Sequence, residues 1–127
     1  MAIAMVALTG CGATHHAPPD PRCTEPSAIV RAAGGAGGLQ ISDCVRSATK
    51  DVDLQDVGSA VSAAADTLAS RHDARALGFL IGATRRGTGA SGIQAELVNR
   101  VEAVARRMPP AADAAIRQGV ADGEAHG

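Results

Sequence analysis

Apolar residues recur along this chain at intervals of three and four, the spacing that lines side chains along one face of an α-helix. Leu54, Val57, Val61, Ala65 and Leu68 form one such stripe, with Gln55, Ser59, Ser62 and Asp66 falling toward the other face. Asp53 or Asp56 can cap its start, where negative charge also suits the helix dipole. Ile93, Leu97, Val101, Val104 and Met108 make the cleanest stripe. Ser91 and Gln94 ahead of it match the Ser-x-x-Gln capping box. Glu96 with Arg100, and Glu102 with Arg106, sit four apart in the favourable orientation. Pro109-Pro110 then ends the helix, because proline lacks the N–H that the next turn needs. Between the two stripes, Ala74 to Thr84 carries Leu77, Gly78, Phe79, Leu80, Ile81 and Gly82, apolar nearly all round. Such a helix is expected at the centre of the fold, with Asp73 as its cap and Arg85 and Arg86 complementing its carboxyl end.

Weaker elements flank these three. Pro26 suits the first turn of a short helix over 26–33, which the run Gly34-Gly35-Ala36-Gly37-Gly38 would stop. A second short helix over 43–50 has Ser42 as a plausible N-cap. A last one over 111–121 has Ala114, Ala115 and Ile116 but little else to bury, and residues 122–127 are expected to fray. No apolar/polar alternation persists anywhere, so strands are not predicted. The expectation is an all-α fold: a small bundle of three main helices with two or three short ones, occupying one domain over 23–121.

Composition narrows the function. Ala is abundant, Gly numbers 15, and Phe79 is the sole aromatic residue. The core is therefore thin, and any added tie between segments matters. Twelve basic and thirteen acidic side chains leave a formal charge of −1. That balance speaks against nucleic acid, which demands a concentrated positive face, and the lack of aromatic platforms speaks against base stacking or sugar binding.

Residues 1–8 are a short apolar run, MAIAMVAL, followed by Thr9-Gly10-Cys11 and, after Gly12-Ala13-Thr14, by HHAPPDPR. The run is too short to span a bilayer, which takes about 20 residues. Three prolines at 18, 19 and 21 make residues 11–22 read as an extended, solvated tether. Leu8-Thr9-Gly10-Cys11 resembles the lipobox of bacterial lipoproteins: an aliphatic residue, a small residue, Gly or Ala, then Cys. The resemblance implies cleavage before Cys11 and acylation of its thiol and amine, which would attach the domain to a membrane outside the cytoplasm. Export signals usually open with positive charge and none precedes this run, so the signal segment over 1–10 is expected to be truncated at its start.

If the domain is exported, Cys23 and Cys44 most simply pair in the oxidising compartment. Closing that loop would contribute roughly 3 kcal/mol through chain entropy. The alternative is two separate buried thiols packing as small hydrophobes. With no Cys-x-x-Cys, neither a redox site nor a zinc ribbon is signalled.

Other candidate chemistry is sparse. Gly82-Ala-Thr-Arg-Arg-Gly87-Thr88 has the glycine spacing of a phosphate loop but lacks its lysine, and reads as a helix end. His15 and His16 are adjacent and converge poorly on a metal. His72 and Asp73 could pair as a base and its orienting carboxylate, yet no nucleophile accompanies them, so a turn with a cap is preferred. Gly78-x-x-x-Gly82 could let another helix approach closely, within the fold or across a dimer. Arg71, Arg75, Arg85 and Arg86 could form a patch for an acidic partner or anionic headgroups.

The sequence thus leads us to expect a non-enzymatic envelope lipoprotein, joined to a membrane through its lipid and supporting or binding another envelope protein. No cofactor or metal is implied. The competing readings are a small-ligand or metal carrier with an interhelical pocket, and a cytosolic helical module whose lipobox is fortuitous. A deep apolar pocket with convergent polar groups would favour the carrier.

Overall fold

A computed structural model describes residues 19–88 and 94–127. The apolar stripes become helices α3 (Asp51–Ser70), α4 (Ala74–Gly87) and α5 (Ala95–Arg106). Ahead of them lie α1 (Pro26–Ala33) and α2 (Ile41–Ser47), and after them comes α6 (Asp113–His126). Two 3₁₀ turns, Pro21–Thr24 and Pro110–Ala112, complete the secondary structure, and no strand occurs among the described residues. The all-α expectation holds. The expected signal segment, most of the expected tether, and Ser91 and Ile93 lie outside the described residues.

The helix that is apolar all round takes the central place. α4 packs against each of the other five helices, and Leu77, Leu80 and Thr84 on it are fully buried. Thr84 tolerates this because its hydroxyl donates to the Leu80 carbonyl at 2.7 Å. Val57, Val61 and Leu68 of α3, Val101 of α5, Ile29 of α1, and Ile41 and Val45 of α2 complete the buried core. Each large side chain fully buried there contributes about 1.5–3 kcal/mol. α3 and α5 run in the same direction: Gly58 lies near Leu97 at one end, and Arg107 reaches Asp66 at 3.7 Å at the other.

Helix starts differ from expectation in detail. α2 begins at Ile41, so Ser42 sits inside its first turn and is buried rather than capping it. α3 begins at Asp51, with Asp51 and Asp53 in the first turn acting on the dipole and no side-chain cap. Asp73 does cap α4, its carboxylate accepting from the Ala76 N–H at 3.2 Å.

Two helices end in the same Schellman arrangement. At the end of α1, Gly35 takes φ 83° and the Ala36 N–H bonds the Arg31 carbonyl at 2.9 Å. At the end of α3, His72 takes φ 55° and the Asp73 N–H bonds the Leu68 carbonyl at 2.9 Å. Gly37 and Gly38 also have positive φ, so the glycine run makes a tight reversal between α1 and α2.

The main departure from the sequence reading is α6. It does not stop at 121 or fray over 122–127: it runs to His126, and Gly127 is buried with its carbonyl accepting from the Ser42 N–H at 3.0 Å. The reason is a seam of glycines. Gly78 and Gly82 on α4 face Gly119 and Gly123 on α6, and the space each missing Cβ would fill is taken by a partner carbonyl. Ile116 O stands at Gly78, Val120 O at Gly82, Arg75 O at Gly119 and Phe79 O at Gly123. Residue numbers rise together along both helices, so the pair is parallel. Backbones this close exchange dispersion and Cα–H···O contacts in place of side-chain packing.

Two glycine-to-alanine changes test this. At Gly82 a Cβ would also meet Glu124 N at 2.7 Å, so Gly82→Ala must part the helices and is expected to cost about 1–3 kcal/mol. At Gly58 in mid-α3 the nearest atom is Leu97 Cδ1 at 3.9 Å, so Gly58→Ala is expected to stabilise by about 0.5–1 kcal/mol. Urea denaturation midpoints should move in opposite directions for the same chemical change.

Candidate functional site

Cys23 and Cys44 are joined by a disulfide, with Cα atoms 5.5 Å apart and both side chains buried. The glycine reversal after α1 returns the chain so that α2 meets the 3₁₀ turn at Pro21–Thr24. That turn belongs to the fold, and the tether boundary expected at 22 falls late. Arg22 holds it: Nη2 pairs with Asp20 at 2.8 Å and Nη1 donates to the Gly37 carbonyl at 2.9 Å. The Arg22 guanidinium, hydrogen-bonded to the Asp20 carboxyl, keeps that carboxyl below the usual carboxylate range. With the bonded positions 21 residues apart in sequence, a Cys23→Ser/Cys44→Ser variant is expected to lose roughly 3 kcal/mol, read as a lower thermal midpoint under non-reducing conditions.

The four arginines named as a patch do not form one free cluster. Arg75 pairs with Asp122 of α6 at 2.8 Å. Arg85 reaches Glu102 of α5 at 2.7 Å and Glu124 of α6 at 3.2 Å, and the hydrogen bonds it donates to the Glu102 carboxylate raise its pKa further. Arg86 donates to the Ala125 carbonyl at 2.6 Å. Arg71 is exposed near the end of α3 and makes no ion pair among the described residues. Three of the four thus fasten α6 to the rest of the protein. Being largely exposed, each such pair contributes little, about 0–1 kcal/mol. The helical pairs read from the sequence are present: Glu96–Arg100 at 3.3 Å and Glu102–Arg106 at 4.0 Å.

His72 and Asp73 lie in the turn between α3 and α4. His72 is exposed, and the Asp73 carboxylate is engaged as the cap of α4, which is the turn-and-cap reading. The glycines of the phosphate-loop-like stretch are inside α4, Gly82 against α6 and Gly87 against Ser42 and Val45 of α2. Cys11, His15 and His16 lie outside the described residues. Gln94, expected in a capping box whose Ser91 is also outside them, donates its buried amide to the Val45 carbonyl at 2.8 Å. Among the described residues no group of three or more His, Cys, Asp or Glu is placed to hold a metal ion, and no helix is long and apolar enough to cross a membrane.

Several interhelical clefts remain: besides one of about 440 Å³ between α3 and α5, lined by Leu54, Gly58 and Leu97 with Gln94, Glu96 and Arg100, two border α4. One, of about 580 Å³, lies beside Phe79 and Ala33 and is edged by Asp73, Arg75, Asp122 and His126. Two of these interactions are internal: Asp73 accepts from the Ala76 amide of α4 and Arg75 pairs with Asp122. The other, of about 330 Å³, has Ile81, Ala105, Ile116 and Val120 as its apolar surface and Arg85, Arg106 and Arg117 with Glu102 at its rim. Sequence reasoning missed this cleft because it missed the extent and placement of α6, whose contact surface is glycine. No family model, curated protein or solved structure matches the chain.

The left-handed His72 supplies a further test. An L-residue there costs about 1–2 kcal/mol relative to its relaxed state, and α1 uses glycine at the equivalent position. His72→Gly is expected to stabilise by about 1 kcal/mol, seen as a higher thermal midpoint. An unchanged or lower midpoint would mean that the His72 side chain makes compensating contacts.

Proposed function

We propose that this chain is a small envelope lipoprotein, held at a membrane through acylated Cys11, with a structural or protein-interaction role outside the cytoplasm. The observation that carries the reading is the Cys23–Cys44 disulfide. Such bonds form and persist in oxidising compartments and are rare in the cytosol. Pairing these two also leaves Cys11, the lipobox-like residue, as the chain's remaining thiol. A thin helical core gains from a covalent tie in a compartment without cytosolic chaperones and reductants. The near-neutral charge and the scarcity of aromatic residues fit a scaffold or adaptor better than a nucleic-acid binder.

Fractionation and mass spectrometry test the proposal together. The expected mature species begins at Cys11, carries acyl chains and sediments with membranes. Cys11→Ser should move the protein to the soluble fraction while Cys23 and Cys44 remain bonded. An intact polypeptide found in the cytosol with all sulfurs reduced would overturn the reading.

A further inference from the structure

We infer that the cleft bounded by α4, α5 and α6 binds a single-chain anionic amphiphile, such as a medium-length fatty carboxylate. This goes beyond the proposed function and does not depend on acylation of Cys11. The cleft arises from how the helices pack. α5 and α6 each lie against α4 but scarcely touch one another, which leaves a trough over Ile81. Ala105 forms one wall, and Ile116 and Val120 the other. These wall residues are only half-buried in a protein with few large apolar side chains, so their exposed surface favours an alkyl chain lying along it.

Charge selects the headgroup. Arg85 also lines the trough and is already engaged by Glu102 and Glu124. Arg106 lies one turn from Glu102 along α5 and only reaches it at 4.0 Å. Arg117, one turn from Asp113 and two turns from Glu124 along α6, is exposed and forms no ion pair among the described residues. Arg106 and Arg117 therefore offer two guanidinium groups among the residues lining the apolar surface, the donor type that suits a carboxylate or phosphate. A cationic amphiphile finds no equivalent, since Glu102 is engaged by Arg85 at 2.7 Å.

Size selects a small ligand over a protein. About 330 Å³ lies at the small end of the range for small-molecule sites, roughly 300–1,000 Å³. Eight residues line it, whereas a stable protein interface uses about 20–30 residues a side. The larger cleft beside Phe79 lacks this combination, because its arginine, Arg75, is paired with Asp122 and its other acid, Asp73, caps α4.

The test uses the full chain carrying Cys11→Ser, oxidised so that Cys23 and Cys44 are bonded. It is titrated with decanoate below its micelle concentration, and with acetate and decyltrimethylammonium as headgroup-only and opposite-charge probes. Calorimetry should show saturable binding of decanoate alone, with amide NMR shifts gathered around Ile81, Ala105, Ile116 and Val120. Arg106→Gln/Arg117→Gln should weaken binding about tenfold without changing the circular dichroism, since two exposed charge contacts are lost. Ala105→Leu, which fills the trough, should weaken it further although both arginines remain. Equal affinity for decyltrimethylammonium, shifts centred elsewhere, or undiminished binding by the double arginine variant would overturn the inference. So would an acidic amphipathic peptide that occupies the trough when decanoate does not.

Discussion

Direct backbone contact between α4 and α6 is the constraint on which the arrangement of this protein turns. A chain with one aromatic residue and a surplus of Ala and Gly cannot reach native packing density by interdigitating large side chains. It reaches that density by removing side chains where two helices meet. The carbonyls of Ile116 and Val120 enter the gaps at Gly78 and Gly82, while those of Arg75 and Phe79 enter at Gly119 and Gly123. Four such insertions, alternating between partners, fix the register to a single residue. Slipping one helix by one position would drive a Cβ into a carbonyl at each of them.

Much else follows from that register. Arg75 meets Asp122, Arg85 meets Glu124 and Arg86 meets the Ala125 carbonyl because each lies on the flank of a seam already set by the glycines. Exposed ion pairs are too weak to position a helix, so the causal order runs from the seam to the charges. The same register brings Gly127 to the Ser42 amide on α2, and α2 is bonded through Cys44 to the turn that holds Cys23. A line of contact therefore runs from the last helix to the first turn, ending in the one covalent cross-link that the described residues contain.

The sequence made the helical class and most helix positions legible, because Leu, Val and Ile at three- and four-residue spacing report a buried face directly. The short helix over 26–33 and the capping role of Asp73 were legible for local reasons, a proline at N1 and a carboxylate before an apolar run. The pairing of Cys23 with Cys44 could be inferred only through compartment, since spacing alone does not distinguish a disulfide from two thiols. What hydrophobic periodicity could not register was α6. Its contact residues are Gly119 and Gly123, which score as helix breakers in isolation and become the contact surface only against a partner with matching gaps. The signal was present as Gly119-x-x-x-Gly123-x-x-x-Gly127, the same spacing noted at Gly78 and Gly82, and it had to be read as a pair. The arginine patch failed to resolve into one surface for the same reason: its acidic partners lie on the helix that periodicity undervalued.

The trough between α5 and α6 is a consequence of this economy. A helix seated on its neighbour by large side chains would turn Ile116 and Val120 into the contact. Here glycine occupies that line, so the two apolar side chains are displaced to its flank and face Ala105 across a gap. Small residues that let one pair of helices close tightly keep α6 from spreading toward α5, and the space between them stays open. Closing it would take larger side chains at Ala105 or on α6, yet the chain places alanine there and arginine at the rim. A gap left purely by poor packing has no reason to carry two cations, one at the limit of contact with its acid and one that forms no ion pair among the described residues. Apolar walls with Arg106 and Arg117 above them make chemical sense once something both greasy and negatively charged lies between.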